Sequence, residues 1–210
     1  MIRVLIADDH PVVREGLRRI IEDEPGMSVA GEATNGDDVL ARVRSVPVDV
    51  VLLDISMPGL GFLDVLRRLK EEHPRVRVLV LSMHPEDQYA VRALRAGAAG
   101  YLTKDHSPEQ LMQAIGKVVR GGRFVSAALA EKLAHDLAAS GDRPAHDLLS
   151  DREYQVLCLL GSGRSVKEVA ATLSLSPKTA STYRARVLEK MRLSSNADLV
   201  RYAAQHGLIR

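Results

Sequence analysis

The sequence predicts an α/β protein: a five-stranded, doubly wound parallel sheet followed by a small all-α domain. Three observations carry that expectation. Between Ile2 and Val119, five short apolar runs alternate with five stretches of helical periodicity. The third run, Val48 to Gly59, is apolar without a break from Val50 to Leu53, reaches one carboxylate at Asp54 and then turns at Pro58-Gly59. A continuous apolar run bounded by turn signals is the mark of a strand buried on both faces. From Leu148 onward the pattern changes to short helices with explicit start signals.

The elements follow in order. Residues 2–7 read as a first strand ending at Asp8-Asp9-His10, and Pro11 opens a helix with apolar positions Val12, Val13, Leu17, Ile20 and Ile21 that Pro25-Gly26 stops. Residues 27–33 form strand two, and Asn35-Gly36-Asp37 starts a helix to Val46. Strand three ends at Asp54. Residues 62–73 form a helix with Leu63, Leu66 and Leu69 inward, and residues 76–81 form strand four, ending at Ser82. Residues 85–96 form a helix capped by Gly97, residues 100–103 a short fifth strand ending at Lys104, and residues 107–119 a last helix stopped by Gly121-Gly122. Such alternation implies right-handed crossovers and a sheet covered on both faces.

Residues 123–147 are expected to be a linker. Residues 127–137 suit a helix, and Ala139 to Pro144 has the composition of a flexible joint. The rear domain, 148–210, opens on Ser150 with Glu153, repeats the pattern at Ser165 with Glu168, then gives Ser176-Pro177 and Ser195 with Asp198. The first two fit the capping box, in which hydroxyl and carboxylate satisfy the orphan amides reciprocally.

Charge separates the two ends. The net charge of +2 hides 10 Lys and Arg against 5 Asp and Glu in residues 149–210, so the rear is basic and the front mildly acidic. That balance points to nucleic acid as a partner of the rear only. Aromatic content of 3% argues against single-strand stacking platforms. Cys158 is the only cysteine, lies in an apolar run and reads as a small core residue. With no signal-like N-terminal segment and no run of membrane length, no membrane partner and a cytoplasmic location are expected. The seven histidines lack ligand spacing, and His10, His84 and His106 are expected to face solvent.

In open α/β sheets, ligands bind outside the carboxyl ends of the strands. Those ends carry Asp8, Asp9, Asp54, Ser82 and Lys104. Three converging carboxylates repel one another unless a cation sits among them, and a hard ion such as Mg²⁺ suits carboxylates, a backbone carbonyl and water. Such an ion beside Lys104 and the Ser82 hydroxyl would receive a phosphoryl group.

Residues 1–122 resemble the flavodoxin-like receiver domain of two-component response regulators. The resemblance rests on Asp8-Asp9, on Leu53 to Gly59, on Ser82, and on Tyr101 ahead of Thr103-Lys104. It implies that Asp54 accepts a phosphoryl group from a sensor histidine kinase. It also implies that Asp9, Asp54 and the Ser56 carbonyl hold Mg²⁺ with Asp8 assisting through water, and that Ser82 and Lys104 grip the phosphoryl oxygens. Tyr101 would turn inward as Ser82 moves. One departure is Phe62, where the family usually has Gly; a bulky residue fits poorly if that backbone needs φ > 0.

Residues 149–207 resemble the LuxR-type helix-turn-helix domain, through Leu149 to Glu153, Gly161 to Ala170 and Ser176 to Arg186. The whole chain is thus similar to the NarL/FixJ class, which implies a homodimer on double-stranded DNA. Periodicity adds its own reading. Val169, Ala170 and Leu173 give the first helix of the pair an apolar face, and Ala180, Val187, Leu188 and Met191 are the buried stripe of the second. Ser181, Thr182 and Ala185 then point outward as base-contact candidates. Lys178, Thr179, Arg184, Arg186 and Lys190 are candidates for phosphate contact.

The leading expectation is a non-enzymatic, phosphorylation-switched transcription regulator. Two other readings stand beside it. An aspartyl-phosphate phosphatase would want Asp-x-Asp at the end of strand one, which Asp8-Asp9 is not. A DNA-binding protein with a vestigial receiver is left open by Phe62.

Overall fold

The computed structural model of the chain describes residues 1–83, 86–127, 129–131, 144–173 and 175–209, with Asp87 and Gln88 described by backbone alone. The chain divides into two units, Met1–Ala138 and Ala139–Arg210.

In the first unit, strands β1 (Ile2–Ala7), β2 (Met27–Ala33), β3 (Val50–Asp54), β4 (Arg77–Ser82) and β5 (Gly100–Thr103) alternate with helices α1 (Pro11–Glu22), α2 (Gly36–Ser45), α3 (Phe62–Glu72), α4 (Glu86–Ala96) and α5 (Pro108–Val119). All pairings are parallel and the order is β2-β1-β3-β4-β5. β3 is central, and all five of its residues are buried. That is why its sequence is a continuous apolar run rather than an alternating one. Val4, Ile6, Val50, Leu52, Leu79 and Leu81 on one side of the sheet meet Leu17 and Ile21 of α1 and Leu111, Ala114, Ile115 and Val118 of α5.

Strand order reverses between β1 and β3, so the crevice beyond their carboxyl ends is the topological switch point. Register brings the relevant ends level. Ala7 pairs with Leu53, Asp54 with Leu81, and Ser82 with Thr103.

Phe62 opens a helix, as the periodicity predicts, and its backbone needs no positive φ. It is the first residue of α3, and among the described residues only Arg192 is a non-glycine with positive φ. The left-handed residue of the β3–α3 loop is Gly59, at φ +81°. Phe62 is 3% exposed and meets Tyr89 of α4 edge-on, with centroids 6.3 Å apart. The loop instead depends on Gly36, where a Cβ would lie 2.2 Å from the Leu60 carbonyl oxygen.

The first unit also runs past the boundary expected at residue 122. The Phe124 N–H donates to Ala99 O at 3.0 Å and Phe124 O accepts from Tyr101 N at 3.1 Å, extending the sheet beside β5. Ser126 Oγ bonds to the Glu86 carboxylate, and Leu129 is buried. Most of the linker helix expected over residues 127–137 lies outside the described residues.

The second unit holds a 3₁₀ turn (Ala145–Leu148) and helices α6 (Asp151–Gly161), α7 (Val166–Thr172), α8 (Pro177–Met191) and α9 (Asn196–Gln205). The capping boxes at Ser150/Glu153 and Ser165/Glu168 both form, and Ser176 and Ser195 cap α8 and α9. Cys158 is buried among apolar neighbours in sequence, as expected of a core residue. Among the described residues no helix is long and apolar enough to cross a membrane.

Candidate functional site

Asp8 follows the last residue of β1 and is 1% exposed. Every acceptor on it is engaged. Its Oδ1 takes the His10 N–H at 2.9 Å, its Oδ2 takes Lys104 Nζ at 2.6 Å, and its backbone oxygen takes Arg14 Nη1 at 2.8 Å. Lys104 follows β5 directly and reaches Asp54 Oδ1 as well, at 3.2 Å. Its side chain is 8% exposed and its ammonium reaches both carboxylates. The Lys104 N–H also donates to Ser82 O at 2.8 Å, which locks the ends of β4 and β5 together.

Two carboxylate oxygens are left over. Asp54 Oδ2 and Asp9 Oδ1 are buried without a hydrogen-bond partner. A buried acceptor in that state costs about 1–3 kcal/mol. Burial raises the Asp54 carboxyl above its ordinary range; Lys104 opposes the shift, the charge of Asp8 adds to it, and a backbone hydrogen bond from Ser56 opposes it. Ligating atoms of Asp8, Asp9, His10 and Asp54 all lie within 4.8 Å of one another. Hard oxygen donors with two unsatisfied atoms fit a divalent cation of the Mg²⁺ type. Since both Asp8 oxygens already take a donor, Asp9 and Asp54 are the less engaged carboxylates of this cluster.

The sheet therefore brings Asp8, Asp9, Asp54 and Lys104 into one pocket and sets Ser56 against Asp54. Ser82 is fully buried at the end of β4, paired in register with Thr103. Tyr101 is fully buried, and its amide holds the Phe124 segment.

Of this neighbourhood Arg14 is marked by no sequence signal, and the histidines at this edge make contacts beyond the solvent-facing role expected of them. His10 is 64% exposed, as expected, but its Nδ1 lies 3.2 Å from Asp8 and 2.9 Å from Asp9. Arg14, one helical turn into α1, joins the Asp8 carbonyl to Glu32 of β2. Burial raises the Glu32 carboxyl, yet its hydrogen bonds from Arg14 and Arg18 outweigh this and hold it below its ordinary range. His106 is half-buried with Nδ1 2.7 Å from Thr103 O, and His84 lies outside the described residues.

In the second unit, Ala180, Val187 and Met191 are the buried stripe of α8, with Leu188 half-buried. Lys178, Thr179, Ser181, Thr182, Ala185 and Arg186 are exposed on the rest of that helix. Two expected phosphate contacts have partners inside the unit. Arg184 Nε donates to Asn196 Oδ1 at 2.5 Å, and Lys190 Nζ meets Glu153 Oε2 at 2.7 Å. Thr182 Oγ1 donates to Lys178 O, so its hydrogen is committed to its own helix.

An acid pocket at the switch point of a doubly wound sheet, joined to a helical unit with an exposed, cation-bearing helix, defines a two-domain signalling transcription factor. The family model described as "Response regulator receiver domain" matches residues 4–116, and that of "Bacterial regulatory proteins, luxR family" matches residues 147–203. The chain belongs to the response regulators of the NarL/FixJ class, two-component DNA-binding transcription regulators. It is 40% identical over 210 residues to the response regulator GacA of Pseudomonas viridiflava, covering 100% of this chain and 98% of the relative. It is similar to the structure of RcsB from Salmonella enterica serovar Typhimurium bound to promoter rprA with phosphomimetic BeF₃⁻, at TM-score 0.60 and 25% identity over 97% of this chain and 98% of that one. A structure of two RcsB dimers bound to two parallel DNAs matches at TM-score 0.59 and 26% identity, over 97% of this chain and 98% of that one.

Proposed function

We propose that Asp54 is the phosphoacceptor of this regulator and that its phosphorylation by a sensor histidine kinase raises affinity for double-stranded DNA as a homodimer. The observation that carries the reading is the pairing of Asp54 Oδ2, buried and unsatisfied, with a fixed ammonium 3.2 Å from the other oxygen of the same carboxylate. Oδ2 forms the new O–P bond as the P–N bond of the donor phosphohistidine breaks, and the departing imidazole takes up a proton. Lys104 holds Asp54 in place and its charge offsets that of the incoming phosphoryl oxygens. In this reading the Ser82 hydroxyl donates to one of them. Mg²⁺ held by Asp9, by Asp54 through the oxygen not used in the O–P bond, and by the Ser56 carbonyl would supply charge neutralisation at the transferring group.

The switch acts through strand ends that are already coupled. Ser82 is tied to Lys104 through the backbone, and Tyr101 lies on the same β5 strand. A shift of Ser82 toward a phosphoryl group is therefore felt at Tyr101 and at the Phe124 segment bonded to it. The ligand of the promoter-bound RcsB structure, a phosphomimetic, supports the same logic. Phe62 left a vestigial receiver open; its helical, buried placement supports the phosphoacceptor reading.

Acetyl phosphate should label the wild-type protein in Mg²⁺ and not in EDTA, with a rise in DNA affinity. Asp54→Asn should abolish both effects. Labelling that persists in the variant rejects the assignment.

A further inference from the structure

The amino ends of the central strands hold a second concavity, at the far end of β4 from Ser82. Five residue steps of strand separate Arg77 from Ser82, roughly 16 Å, so this place is distinct from the acid pocket. The cavity measures about 640 Å³ and four cations line it: Lys70 of α3, Arg77 of β4, Arg95 of α4, and Arg123. No carboxylate is among its lining residues, and its floor includes Leu66 and Val78.

The bland explanation is that basic side chains collect where helices end, because the carbonyl end of a helix is negative. That accounts for Lys70 and Arg95, which stand in the last turns of α3 and α4. It does not account for Arg77, on a strand, or for Arg123, which follows the turn closing α5. Arg95 has an interaction of its own, whereas Lys70, Arg77 and Arg123 have no side-chain partner among the described residues. Several arginines elsewhere in this unit are answered by carboxylates, as Arg3 is by Asp49 and Arg44 by Glu72. Here three cations line one hollow, with no carboxylate among its lining residues.

We infer that this cavity is an anion site for an organic di- or triphosphate such as a nucleoside diphosphate. The planar guanidinium forks of Arg77 and Arg123 suit phosphate oxygens, Lys70 adds a mobile point charge, and the apolar floor takes the organic part. The volume falls within the range of small-molecule sites. Occupancy has a mechanical consequence, since Arg123 immediately precedes Phe124, whose backbone is bonded to Ala99 and Tyr101. A bound diphosphate fastens the segment that leaves the receiver.

The test is calorimetric titration of the full chain with ADP, in EDTA and at fixed ionic strength. ADP is expected to saturate at one per chain, and inorganic pyrophosphate to bind about tenfold more weakly for want of an organic part. Arg77→Gln combined with Arg123→Gln should weaken ADP binding at least about tenfold while Asp54 still takes label from acetyl phosphate, the check that the receiver is intact. Lys70→Gln, at an exposed helix position, should weaken it severalfold and serves if the double variant does not fold. An excess of duplex DNA should leave ADP binding unchanged. Absence of saturation, undiminished affinity in the variants, or displacement by duplex would overturn the site; equal affinity for pyrophosphate would overturn the role of the floor.

Discussion

Lys104 shows what a single residue can and cannot disclose from sequence. Its meeting with Asp8 and Asp54 was legible because a parallel sheet gathers every carboxyl end at one edge, so polar residues closing several apolar runs must be neighbours. Which atoms they share was not legible. Only the structure shows that both Asp8 oxygens already take a donor, that Asp9 Oδ1 has no hydrogen-bond donor but a His10 ring nitrogen 2.9 Å away, and that Asp54 Oδ2 has no partner. Arg14 escaped notice for a related reason: its bond to Glu32 depends on the placement of α1 against β2, which no local pattern encodes. That side chain fixes the carbonyl of Asp8 and through it the turn that presents Asp9. Arg14→Gln should therefore weaken Mg²⁺ binding about tenfold, the scale found for partners that orient metal ligands. Arg14→Lys should restore little, since one ammonium cannot serve both the Asp8 carbonyl and Glu32 as the guanidinium does. Calorimetric Mg²⁺ titration checks this, and an unchanged dissociation constant in the Gln variant would remove Arg14 from the site.

At the scale of elements, capping residues and apolar periodicity placed nearly every helix start. Ser150, Ser165, Ser176 and Ser195 all cap as read, because their signal is local chemistry between a hydroxyl and nearby amides. The α3 start at Phe62 is also as read, and the concern over its backbone falls away because the loop geometry turns on two other residues. Gly59 supplies the positive φ and Gly36 the close approach, which frees Phe62 to enter the core between α3 and α4. The residue that departs from the family pattern is thus a packing residue in this chain. Phe62→Gly, although it restores the usual family residue, should destabilise the receiver by about 3–5 kcal/mol, the scale for emptying a buried aromatic site. Urea unfolding followed by circular dichroism reads this directly. A midpoint equal to wild type would mean that the surrounding side chains close the gap.

For the whole molecule, the basic rear and mildly acidic front were legible in the charge count, and so was the division into a receiver and a DNA-reading unit. The end of the receiver was not, because a one-bridge extension at Phe124 leaves no periodicity to detect. Salt dependence of DNA binding separates the cations that serve the duplex from those that serve the fold. Each phosphate contact contributes about 0.9 to the slope of log affinity against log salt, so a contact made twice in a dimer contributes about 1.8. Lys178→Ala or Arg186→Ala should flatten the slope by that amount without changing sequence preference, as both are exposed and without an acidic partner among the described residues. Lys190→Ala should leave the slope almost unchanged, because its ammonium already answers Glu153. Its loss should instead lower thermal stability, and the acid sensitivity of the rear unit reports the same pair. Burial raises the Glu153 carboxyl, but hydrogen bonds from Lys190 and Ser150 overcome this and hold it below its ordinary range. A carboxyl depressed on folding contributes stability that is present above its unfolded pKa and lost as pH falls through the folded one. Without Lys190 that depression shrinks, so the variant's deficit should be largest near neutrality and close on acidification. A Lys190→Ala protein that matches Lys178→Ala in slope and wild type in melting temperature would return Lys190 to the DNA and undo the assignment made from Glu153.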